Sequence, residues 1–72
     1  MIIQFTDVGR NKWSGTIEIP DTNDPEVIAE AAYRIAKTKL ASRYPETIYN
    51  IKTNEGTIET GFHKAGTFKV VK

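Results

Sequence analysis

Two rhythms of apolar and polar positions run along this chain. From Asp24 to Arg43 the apolar residues recur at helical spacing, and elsewhere the ordered stretches alternate every second residue. At about 100° per residue, Ile28, Ala29, Ala32, Ile35, Ala36 and Leu40 share one broad side, with Glu26, Glu30, Arg34, Lys37 and Ala41 opposite. The pattern predicts one amphipathic helix. Asp24 suits the N-cap, because its carboxylate can accept from a first-turn N–H, and Pro25 suits the first helical position, where no N–H is needed. Pro45 disfavours helical backbone at Tyr44, so the helix is expected to end near Arg43 or Tyr44. Small alanines in the middle of the apolar side let the helix axis approach a sheet closely. Lys39 and Arg43 lie near that side, with stems long enough to cover core while the charge reaches water.

Strand periodicity appears on both flanks of the helix. Residues 2–6 place Ile3 and Phe5 on one face, and Asp7 to Asn11 carry turn chemistry with Gly9 free to take positive φ. From Lys12 to Ile19, Trp13, Gly15, Ile17 and Ile19 share a face, so a hairpin should bring Phe5 and Trp13 together, with the Trp13 ring or the helix filling the gap at Gly15. Beyond Pro45, a strand from Glu46 to Thr53 is expected to point Thr47, Tyr49 and Ile51 inward, with Ile48 as the alternative. Asn54-Glu55-Gly56 reads as a turn, Thr57 to His63 as a strand, Lys64-Ala65-Gly66 as a hairpin loop with left-handed glycine, and Thr67 to Val71 as a last strand. That loop would pair His63 with Thr67, Phe62 with Phe68 and Thr60 with Val70. The preceding turn needs an even-length loop or a bulge to carry Tyr49 and Ile51 to the face of Ile58 and Phe62.

The element order is therefore ββαβββ, and the fold class α+β: one mainly antiparallel twisted sheet with a single helix packed on one face, in one small domain spanning residues 1–72. The inner face would carry Ile3, Phe5, Trp13, Ile17, Ile19, Tyr49, Ile51, Ile58, Phe62, Phe68 and Val70. The outer face would be mainly threonine, lysine, glutamate and serine.

Composition narrows the chemistry. The chain has one histidine and no cysteine, so neither a zinc tetrad nor a Cys–His pair can be built from one copy. The five glycines form neither a dinucleotide fingerprint nor a P-loop. No catalytic residue, metal ligand or cofactor is assigned, and the chain is read as non-enzymatic. No apolar run approaches the roughly 20 residues of a membrane span, and the N-terminus lacks the regions of a signal peptide. A cytoplasmic location away from membranes is expected.

Two binding classes remain. The first is a regulatory or accessory module acting through protein–protein contacts, with Tyr33, Tyr44, Arg10, Lys12, Glu59 and His63 as candidates. An edge strand could also pair with a partner or a second copy, making a homo-oligomer. The alternative is weak nucleic-acid binding through Arg34, Lys37, Lys39, Arg43, Lys64 and Lys69. Six acidic and two basic side chains lie in residues 1–30, against three acidic and eight basic in residues 31–72. Helix-dipole matching accounts for much of that asymmetry. The net charge of +1 and the absence of outer-face aromatics on which bases could stack weigh against nucleic acid.

Overall fold

The computed structural model describes residues 1–40, 45–61 and 63–71. Five strands and one helix follow in the order β1 (Ile2–Val8), β2 (Trp13–Glu18), α1 (Pro25–Lys39), β3 (Glu46–Asn50), β4 (Glu55–Thr60) and β5 (His63–Val71). All strand pairs are antiparallel. The sheet order is β2-β1-β5-β4-β3, so the last strand lies in the centre and α1 carries the chain from one edge to the other. The α+β class and element order match the pattern in the sequence.

The helix starts as its cap residues dictate. The Asp24 carboxylate accepts from the Glu26 N–H at 2.9 Å, and Pro25 opens the first turn. It ends at Lys39, short of the expected Arg43. Leu40 is already extended, at φ −110° and ψ 145°, although its N–H still donates to the Ala36 carbonyl. Packing at this end explains the early stop: Gly9 lies so close that a Cβ there would sit 2.8 Å from the Lys39 carbonyl oxygen and 3.3 Å from Leu40 Cδ2. Another turn of helix would compete with the β1–β2 turn for the same space.

Ile28, Ala32 and Ala36 are buried against Ile3, Phe5, Val8, Ile58, Phe68 and Val70. The alanines bring α1 close to the sheet, and its contacts concentrate on β3. There the Thr47 hydroxyl donates to the Ala29 carbonyl at 2.8 Å. Far less of α1 reaches β2, and Trp13, Ile17 and Ile19 are only half-buried. Phe5 meets Trp13 and Phe68 at ring-centroid distances of 5.5 and 6.1 Å. The expected Phe5–Trp13 pairing is therefore present. The Trp13 ring also fills the space over Gly15, where a Cβ would come within 2.6 Å of it.

Three expectations are corrected. Val8 belongs to β1 and is buried, rather than lying in a turn. Simple alternation after Ile3 and Phe5 would turn Asp7 inward. Instead the register shifts between Phe5 and Val8, with Asp7 in left-handed backbone at φ +52°, and this bulge brings Val8 into the core. Second, β3 ends at Asn50, which faces Glu55, so the connecting loop has the even length expected and Tyr49 faces inward opposite Gly56. Ile51 falls in that loop and is 47% exposed, not inward. Third, Lys64-Ala65-Gly66 is strand, not loop. Thr60 faces His63, and Phe68 lies opposite Gly56 and Phe5. The left-handed glycine is Gly61, at φ +60°. Gly56 and Gly66 serve close packing instead: a Cβ on Gly56 would meet the Phe68 ring at 2.1 Å, and one on Gly66 would meet Val8 at 2.9 Å. Phe62 lies outside the described residues.

Candidate functional site

The sheet end where the β1–β2 turn meets the start of β5 gathers the most chemistry. The turn is held from two sides. The Gly9 N–H donates to the Ala65 carbonyl at 2.9 Å, while the Lys12 N–H closes onto the Gly9 carbonyl at 3.1 Å. Gly9 takes φ +78° and Lys12 φ +50°, so the backbone turns sharply enough to hold both Arg10 and Lys12 out at the rim. The helix C-terminus backs the turn through Lys39 and Leu40.

These elements enclose an open groove of about 540 Å³. Gly9, Leu40 and Ala65 give it an uncharged floor, and Arg10, Lys12, His63 and Lys64 line it, with Asp7 the one acidic residue among the described lining. Lys12, His63 and Lys64 are exposed, as is Arg10. The arrangement is a cationic rim over an apolar base. It suits an anionic group carried on an apolar stem.

The structure thus brings together three sequence candidates, Arg10, Lys12 and His63, and adds Lys64 from the basic set. Glu59 lies beside the groove without lining it: it is half-buried in β4, opposite Glu46 on one side and the groove residue Lys64 on the other. Tyr33 is half-buried on α1. Tyr44 and Arg43 lie outside the described residues. The other basic candidates disperse. Arg34 bridges to Glu30 at 3.1 Å on the helix. Lys37 is exposed in its last turn, and the Lys39 Nζ sits 4.6 Å from the Trp13 ring centre, so its charge lies over an aromatic face. Lys69 lies on the outer sheet face between Gln4 and Glu55. These residues form no single basic track. The sequence pattern does not reveal the floor residues Leu40 and Ala65, and no local signal marks them, because only the sheet order brings β5 beside the β1–β2 turn.

A second shallow groove, about 520 Å³, crosses the outer face and is lined by residues including Thr6, Ile48, Thr57, Thr67 and Lys69. Thr6, Thr67 and Thr57 form one row across β1, β5 and β4. No group of three or more metal-binding side chains converges among the described residues. None of their helices is long and apolar enough to cross a membrane. Compared with known protein families, curated proteins and solved structures, the chain matches none.

Proposed function

We propose that this protein is a non-enzymatic binding module whose sheet-end groove takes an acidic segment of a partner protein. The observation that carries this reading is the convergence of Arg10, Lys12, His63 and Lys64 from two separate parts of the chain around an uncharged floor. Charge matching at the helix C-terminus accounts for Lys37 and Lys39. It does not account for Arg10 or Lys64, which lie on other elements. The confinement of the groove's basic residues to one end of the sheet favours a short anionic stretch over a continuous phosphate backbone, for which the dispersed Arg34 and Lys69 provide no path.

The test is titration of the isotopically labelled protein with a synthetic peptide of alternating glutamate and leucine, followed by NMR. Amide shifts should cluster at Gly9–Lys12, Leu40 and His63–Ala65. An Arg10→Glu/Lys64→Glu variant should bind about tenfold more weakly, on the order of 1.4 kcal/mol, with an unchanged far-UV spectrum. Shifts scattered over the surface, or none, would contradict the reading. Titration with a single-stranded oligonucleotide is the matched arm. Binding there with a steep log–log salt slope, and no response to the peptide, would assign the groove to nucleic acid instead.

A further inference from the structure

We infer that the free edge of β2 is a seam for a second copy of this chain, joining two sheets into one antiparallel sheet about a two-fold axis at Gly15. This surface shares only Lys12 with the basic groove, and the inference stands whether or not that groove takes an acidic segment.

The backbone shows which groups are available. The Ile19 N–H donates to the Met1 carbonyl at 3.0 Å, and the Ile19 carbonyl accepts from Met1 nitrogen at 2.9 Å. That reciprocal pair sets the ladder's phase. Alternation then turns the polar groups of Ile17 and Gly15 toward β1, where they face Ile3 and Phe5. The N–H and C=O groups of Ser14, Thr16 and Glu18 are left pointing off the sheet's edge. Sheet edges are commonly blunted by proline, lysine or a covering element. Trp13–Glu18 contains neither residue, and α1 leans toward the opposite edge.

Side chains select the partner. An antiparallel copy centred on Gly15 sets Ser14 against the partner's Thr16, so the outward-pointing backbone groups meet each other. The same register places Trp13 beside the partner's Ile17 on the inner face, where both are half-buried. Lys12 adjoins the strand in left-handed backbone at φ +50°, its N–H already donated to the Gly9 carbonyl. Its side chain alone, and not its backbone, therefore extends the seam toward the partner's Glu18, twice by symmetry. Polarity thus agrees at every facing pair within Trp13–Ile17, and the Lys12 and Glu18 side chains flank the strands with opposite charge. A one-residue slip would set Trp13 against Glu18 or against Thr16 and lose this agreement. The apolar shelf does not stop at β2: a groove of about 270 Å³ lined by Ile19, Val27 and Ala31, among others, continues it beside the helix. The other edge is a poorer seam. β3 follows Pro45 and opens on Glu46, and α1 lies over it, although Ile48 there is 54% exposed.

Because the chain has no cysteine, the register can be read by cross-linking. Ser14→Cys and Thr16→Cys chains, mixed and oxidised, should give a disulfide dimer in several-fold higher yield than either variant alone. In sedimentation equilibrium the unaltered protein should shift toward dimer mass with concentration. Lys12→Glu and Glu18→Lys should each abolish that shift, and the double variant should restore it. Equal cross-linking in mixed and unmixed samples would overturn the proposal. So would monomer mass throughout, or failure of the double charge swap to restore association in a folded protein. Loss of association on Ile48→Lys with Glu18→Lys unaffected would move the seam to β3 and equally overturn it.

Discussion

Single residues in this protein carry more than local roles, and the glycines show it best. Gly56 sits opposite Phe68 with no room for a methyl group, since a Cβ would lie 2.1 Å from a ring that is itself 2% exposed. The ring cannot swing into solvent to relieve the clash. Gly56→Ala should therefore lower stability by about 1–3 kcal/mol or more, the range for overpacking a core, measured as a lower urea midpoint with an unchanged slope. Tyr49 offers a residue-scale test of pH. Its ring stacks on Phe68 at 6.0 Å and its hydroxyl donates to Asn54 Oδ1 at 3.0 Å. Burial raises its hydroxyl's pKa above the ordinary value, which is about 10. The unfolded chain then loses the proton first as pH rises. The contribution is whole below pH about 10 and fades as the pH climbs through the folded-state value. Urea melts between neutral and strongly alkaline pH should show a shallower alkaline loss in Tyr49→Phe than in the unaltered protein. That variant should also lose about 1 kcal/mol at neutral pH with the hydrogen bond.

At the scale of elements, the helix is specified mostly by its own sequence and the strands mostly by their neighbours. Asp24 caps α1 in extended backbone at φ −86° and ψ 114°, so Asp24→Ala should cost about 0.5–2 kcal/mol, read as a lower thermal midpoint without loss of cooperativity. The cap, Pro25 and the alanine-rich face are local signals, and all three are legible in the amino-acid order alone. So is the β1–β2 pairing, where alternation and one tryptophan above one glycine leave few registers. The end of α1 and the position of the β4–β5 turn are not legible in that way. Pro45 marks where a helix must have stopped, not where packing against Gly9 stops it. Gly56 and Gly66 read as turn residues because glycine usually punctuates turns. Here they are strand residues kept small by Phe68 and Val8, and a packing reason leaves no local trace. The basic groove is legible as residue types, because Arg10, Lys12, His63 and Lys64 stand out singly. Their meeting depends on β5 lying between β1 and β4, and no pattern within either turn encodes that.

The order β2-β1-β5-β4-β3 makes the whole molecule depend on its last strand. Among the described residues, β5 is the only link within the sheet between the hairpin β1–β2 and the hairpin β3–β4. It pairs Val70 with Ile3 and Phe68 with Phe5 on one side, and Phe68 with Gly56 and Gly66 with Ile58 on the other. Its Phe68 and Val70 are core residues, and the aromatic chain from Trp13 through Phe5 to Tyr49 passes through Phe68. A chain ending at residue 61 keeps both hairpins and α1 but loses the strand between them. Two-stranded hairpins are marginal alone in water, and α1, at 15 residues, is only at the length where an isolated helix begins to hold in water. Such a fragment should show no cooperative thermal transition, and the emission of Trp13, the only tryptophan, should move to that of a solvated indole. A peptide of residues 62–72 added in trans should restore both signals, with a midpoint that rises with peptide concentration, as mass action requires. A cooperative melt from the fragment alone would show that one hairpin and the helix suffice, and that β5 completes a sheet already formed. The same topology bears on rate. The β1–β5 ladder closes nearly the full length of the chain, so stopped-flow refolding followed through Trp13 should fall in the millisecond-to-second range of folds rich in non-local pairing. Val70→Ala, in the strand whose pairing with β1 spans the longest stretch of chain, should speed unfolding more than it slows folding.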